Sequence, residues 1–92
     1  MKILLTGSNG FLGSYIYDYI KINNQVFTLN KSVNSDYQID LANEIPNFNE
    51  DFDLVIHAAG KAHLIPKNSN ESNDFQKINV LGTLNLLEGL NN

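Results

Sequence analysis

Three glycines fall three residues apart in Gly7-Ser8-Asn9-Gly10-Phe11-Leu12-Gly13, one residue after the apolar run Ile3-Leu4-Leu5. Their spacing and position suit one kind of chemistry, the capture of a phosphate group by backbone. Gly7 permits a tight turn out of a strand, Gly10 lets the chain approach a pyrophosphate without a Cβ in the way, and Gly13 allows the following helix to lie close on the strand. The N–H groups at the helix opening have no partner within the helix, and together with the helix dipole they favour an anion there. A glycine-rich turn without a ligand is the plain alternative, but a turn alone needs only one glycine. The expected contacts are Gly7, Asn9, Gly10, Phe11, Leu12 and Gly13.

Other chemistry is poorly supplied. There is no cysteine, which excludes disulfides and thiolate metal sites. His57 and His63 are the only imidazoles and have no adjacent carboxylate, so they make a poor metal site. His57 reads as a satisfied, half-buried histidine, and Lys61 and His63 could touch a phosphate or face water. The net charge is −4 and all six cations are lysines, which argues against a nucleic-acid groove. An anionic ligand must then be held mainly by backbone dipoles. The sequence shows no membrane span and no signal peptide, so a cytoplasmic protein is expected. Asn-x-Ser patterns at Asn30 and Asn70 are read as coincidental.

The elements that must position the turn follow from residue pattern. Lys2–Thr6 is a strand buried on both faces. Leu12, Ile16, Tyr19 and Ile20 lay one stripe of a helix running from Phe11 to about Ile22. Residues 25–29 and 37–39 form the second and third strands, and residues 41–48 could hold a short helix if Pro46 sits near its end. Leu54-Val55-Ile56 is the fourth strand, residues 67–73 read as a loop, and a leucine-rich helix spans about Ser72 to Leu90, apolar on more than one side. Alternating strands and helices with right-handed crossovers give a parallel α/β sheet in the order 3-2-1-4. The expected fold is the N-terminal half of a doubly wound, Rossmann-like sheet, ending after the helix that follows strand four. Residues 1–92 would be a single, incomplete domain that binds NAD or NADP.

With Thr6-Gly7-Ser8-Asn9-Gly10-Phe11-Leu12-Gly13 in place, the chain resembles the extended short-chain dehydrogenase/reductases, the NAD-dependent epimerase/dehydratase family. Asp40-Leu41 resembles the family's adenine-contacting pair. Val55-Ile56-His57-Ala58-Ala59-Gly60 resembles the segment that closes strand four over the ribose and pyrophosphate, which adds Ala58, Ala59 and Gly60 to the expected site. Asn79-Val80-Leu81-Gly82-Thr83 resembles the Asn-x-x-Gly-Thr helix, with Asn79 steadying the strand-four loop. Asp40 could also cap the segment after it, and the small residues of 58–60 could serve packing alone.

NAD enzymes usually place an acid at the end of strand two to accept the ribose 2′-hydroxyl. Asn30 stands there, followed by Lys31, which leans toward NADP. The resemblance implies hydride chemistry on nucleotide sugars, using a Tyr-x-x-x-Lys pair and a Ser or Thr that lie beyond the matched segments. Tyr17-x-x-x-Lys21 matches that pattern but falls in the second half of the first helix, so both residues are expected to be structural or exposed. The chain is therefore read as the cofactor-binding part of an epimerase, dehydratase or reductase and as non-catalytic by itself. A non-catalytic dinucleotide sensor or interaction module is the alternative, and a ligand-free small protein a third. Self-association through the last helix or the open edge of strand four is expected.

Overall fold

The computed structural model describes residues 1–59 and 77–91. Its elements are β1 (Lys2–Thr6), α1 (Phe11–Ile20), β2 (Gln25–Asn30), β3 (Tyr37–Gln38), β4 (Leu54–His57), a π-helical turn (Lys77–Leu81) and α2 (Gly82–Leu90). The chain divides into two compact units, one of Met1–Ile39 with Asn49–Ala59, the other containing Asp40–Phe48 and the described residues 77–91.

The first unit is a parallel sheet in the order β3-β2-β1-β4. β1 takes the centre and is the most deeply buried strand. Ile3, Leu4 and Leu5 are at most 2% exposed, and Leu29 of β2 is 1% exposed. Burying side chains of this size contributes about 2 kcal/mol each. The register pairs Thr6 with Leu29 on one side and with His57 on the other, so the carboxyl ends of the inner strands are level. The turn at Gly7 leaves the sheet at that rim. Beneath it, Phe52 meets Phe27 and Tyr37 edge to face, with ring centroids 5.6 and 6.4 Å apart. At the opposite rim the Asp53 carboxylate accepts the Lys2 N–H at 2.7 Å, and Lys2 pairs with Glu50 at 2.9 Å.

α1 ends at Ile20, two residues earlier than the apolar stripe suggests, because the Asn24 side chain donates to the Ile20 carbonyl at 3.0 Å and closes the helix there. In the second unit the possible helix over 41–48 does not form. Asp40 organises a turn instead: its carboxylate accepts the Ala42 N–H at 3.2 Å and the Asn43 amide at 2.7 Å, while its carbonyl accepts the N–H groups of Asn43 and Glu44. Pro46 is buried and supplies a wall for α2. A Cβ on Gly89 would stand 2.6 Å from the Pro46 carbonyl oxygen, one on Gly82 would stand 3.5 Å from Leu41 Cβ, and Leu86 between them is 2% exposed. Asn85 donates to the Leu41 carbonyl at 2.7 Å. α2 therefore buries one face, defined by Gly82, Leu86 and Gly89. Val80, Leu81, Leu84 and Leu87 are exposed. The portion of the expected last helix before Lys77, and the loop over 67–73, lie outside the described residues.

Candidate functional site

Gly7 opens the turn with φ +75°, a conformation that side chains disfavour. A Cβ there would also lie 2.6 Å from the Ala59 nitrogen and 2.7 Å from the Ala58 carbonyl carbon. The small residues after β4 are thus pressed against the turn. The Gly7 N–H donates to the Leu29 carbonyl at 3.1 Å, and its carbonyl accepts the Gly10 N–H at 3.0 Å. A Cβ on Gly13 would overlap the Gly7 carbonyl, so that glycine is what lets α1 cross so close to the strand end.

Gly10 differs from both. Its φ is −80°, it is exposed, and the nearest atom to an added Cβ is the Gly7 carbonyl oxygen at 3.3 Å. Protein packing demands less of this position than of Gly7 or Gly13. No side chain caps the start of α1, and the Ser14 N–H is the one that reaches back to the Gly10 carbonyl, at 3.0 Å. The N–H groups of Phe11, Leu12 and Gly13 precede it in the first turn, where a helix supplies no acceptors of its own. Phe11 and Leu12 are 76% and 62% exposed. The corner is open, it lies at the carboxyl rim of the strands, and its backbone fits an anionic diphosphate.

A polar lattice braces the turn against the end of β2. Asn30 donates from Nδ2 to Ser8 Oγ at 2.7 Å and accepts the Asn9 N–H on Oδ1 at 3.5 Å. Asn9 Nδ2 donates to Ser32 Oγ at 2.6 Å. Lys31 is exposed beside them. Beyond this lattice is a cleft of about 320 Å³ lined by Ser8, Asn9, Tyr17, Thr28, Asn34 and Asp36. Sequence reasoning placed the cofactor-discriminating side chains at the end of β2 and missed Asp36, which reaches the cleft from the next connection. Its Oδ2 accepts both the N–H and the hydroxyl of Thr28, at 2.8 and 3.2 Å. The Ser/Asn/Asp-rich turn over 32–36 was the available signal.

At the rim between β1 and β4, Thr6 is fully buried and its Oγ1 lies 2.6 Å from His57 Nδ1. The Ala59 N–H donates to the same oxygen at 3.2 Å. Burial pushes the His57 pKa below 6.5. The contact ties the two strand ends around the turn, and it satisfies His57 as the sequence suggested, although the residue is exposed rather than half-buried.

Of the expected site residues, Gly7, Asn9, Gly10, Phe11, Leu12, Gly13, Asn30, Lys31, Ala58 and Ala59 all belong to the first unit and gather at its carboxyl rim. Asp40, Leu41 and Asn79 belong to the second. Asp40 shapes its turn, Leu41 is buried, and the Asn79 carbonyl accepts the Thr83 hydroxyl at 2.7 Å. Gly60, Lys61 and His63 lie outside the described residues. Tyr17 is half-buried and lines the cleft. Lys21 is exposed, with its Nζ 3.3 Å from Asp18 and 5.2 Å from the centre of the Tyr17 ring. Among the described residues no group of histidines and acids could hold a metal ion, and no helix is long and apolar enough to cross a membrane.

A Methanocaldococcus jannaschii protein named "Putative UDP-glucose 4-epimerase" is 37% identical over 102 aligned positions, covering 94% of this chain and 32% of the relative. The crystal structure of protein lin1944 from Listeria innocua has the same fold, with a TM-score of 0.73 at 23% identity, covering 97% of this chain and 48% of that one. The chain thus spans about a third to a half of the length of these relatives. Residues 3–92 match the model of a family that works with a nicotinamide dinucleotide, and the chain belongs to the NAD-dependent epimerase/dehydratase family.

Proposed function

We propose that this chain binds the pyrophosphate of a nicotinamide dinucleotide at the opening of α1, as the cofactor-holding part of an oxidoreductase that acts on nucleotide sugars. The observation that carries the reading is Gly10, a glycine with an ordinary backbone angle whose added Cβ would meet one atom of the fold, the Gly7 carbonyl oxygen at 3.3 Å, at the open end of a helix beside the strand rim. When bound, the nicotinamide ring supplies hydride transfer. The chain's own contribution is to hold and orient the diphosphate through the N–H groups of Phe11, Leu12 and Gly13, with Ala58 and Ala59 closing the strand-four side. Asp40, Leu41, Gly60 and Asn79 complete the proposed contacts. The reacting groups are proposed to lie elsewhere, since Lys21 is engaged by Asp18 and Tyr17 on the surface of α1.

Neutral donors at Asn30 and the charge of Lys31 support a 2′-phosphate, and NADP is the proposed cofactor. A second reading, NAD, is favoured by the Asp36 carboxylate in the adjoining cleft, which could accept a ribose hydroxyl and would repel a phosphate. Calorimetric titration with both dinucleotides decides between them. NADP should bind more tightly, and Lys31→Gln should weaken it several-fold while leaving NAD unchanged. Tenfold tighter binding of NAD would reverse the assignment, and no binding of either would remove the function. The exposed apolar stripe of α2 supports a further proposal, self-association through that helix or the β4 edge, which also accommodates an interaction module.

A further inference from the structure

Asn9 alone among the fifteen asparagines is followed by glycine, and the pair sits in the turn itself. We propose that Asn9 is a site of spontaneous covalent modification, in which its side-chain amide becomes a carboxylate within the phosphate-facing turn. Both Asn9 and Gly10 are exposed, and Gly10 presents its backbone nitrogen without a side chain to shield it. In the reaction that nitrogen gives up its proton to hydroxide and attacks Asn9 Cγ. A new N–Cγ bond closes a succinimide ring, the Cγ–Nδ2 bond breaks, and Nδ2 leaves as ammonia after taking a proton from water. Water then adds to one of the two ring carbonyls and opens the ring, giving aspartate or, with the backbone rerouted through Cγ, isoaspartate. No oxidant or reductant takes part.

Two hydrogen bonds govern the rate. The Gly10 N–H donates to the Gly7 carbonyl at 3.0 Å, which holds the proton that must leave, and Asn9 Nδ2 donates to Ser32 Oγ at 2.6 Å, which holds the side chain away from attack. A ligand on the turn would restrain both. The product has a functional consequence that rests on the dinucleotide reading. A carboxylate at position 9 would place a negative charge one residue before the N-cap of α1, Gly10, and repel a diphosphate there.

The test is peptide mapping of the chain after incubation in warm, mildly alkaline buffer, with isoaspartate labelled by a methyltransferase, alongside NADP binding by Asn9→Asp. Conversion at Asn9 should lead that at every other asparagine, run faster in Ser32→Ala, slow in saturating NADP and be absent from Asn9→Gln. Retention of the Asn9 amide while the Asn-Ser pairs at Asn34 and Asn68 convert would overturn the site. Asn9→Asp should bind NADP at least about tenfold more weakly. Conversion at Asn9 without any loss of affinity in Asn9→Asp would leave the modification standing and remove the phosphate role of the turn.

Discussion

Gly10 and Gly13 stand three residues apart in one turn for opposite reasons, and substitution separates them. A Cβ on Gly13 would overlap the Gly7 carbonyl, so Gly13→Ala must push α1 away from the end of β1. The expected loss is at least about 3 kcal/mol of unfolding free energy in urea. Gly10→Ala meets only the Gly7 oxygen at 3.3 Å and has an ordinary φ, so its stability should stay within about 1 kcal/mol of the parent while dinucleotide binding is lost. Retained binding in Gly10→Ala would refute the proposed approach of the diphosphate. His57 makes a pH-dependent contribution of predictable sign. Burial lowers its pKa in the folded chain below the 6.5 of the unfolded one, so between those values the unfolded chain binds the proton more readily. Its stabilising effect is complete above 6.5 and declines as the pH falls from there toward the folded value. The ring is partly exposed, which limits the loss to under about 1 kcal/mol. Urea midpoints from neutral pH down to about pH 5 should fall more for the parent than for His57→Asn, and parallel curves would show that the imidazole does not titrate differently on folding.

Elements were legible in the sequence where a single residue property sets them. The apolar run of β1, the three-residue spacing of the glycines and the alternation of strand with helix were enough to give the sheet order β3-β2-β1-β4 and to put the turn at its carboxyl rim. Elements decided by competition were less legible. Apolar spacing continues to Ile22, but the Asn24 amide takes the last carbonyl of α1 at Ile20 and ends the helix. Residues 41–48 have enough apolar character for a helix, yet Asp40 binds the backbone ahead of it and fixes a turn, which Pro46 then stiffens. The two glycines of α2 have a packing reason that only the structure supplies, the approach of Pro46 to Gly89 and of Leu41 to Gly82. Asp36 was missed for a related reason: the Ser/Asn/Asp-rich composition of 32–36 marks a turn, but the approach of Asp36 to the cleft depends on its bonds to Thr28, which that composition does not specify.

For the molecule as a whole, the unanswered demand is apolar surface. Val80, Leu81, Leu84 and Leu87 are 44–55% exposed on α2 and its preceding turn, and β4 is a sheet edge with Leu54 43% exposed. One helical stripe buries far less than the roughly 1,200 Å² of a standard specific interface, so association through it alone should be weak and concentration-dependent. Each leucine taken from water contributes at most about 2 kcal/mol, and the loss of translational freedom offsets several such contributions. The proposed self-association should accordingly appear in light scattering only as the concentration is raised, with a mass that climbs toward the dimer. Leu84→Lys combined with Leu87→Lys places two charges in the stripe without touching Gly82, Leu86 or Gly89, so it should hold the mass at the monomer while leaving the urea midpoint nearly unchanged. If the double variant associates as the parent does, the contact runs through the β4 edge instead. A parent chain that stays monomeric at high concentration would show that this surface has no affinity for a second copy.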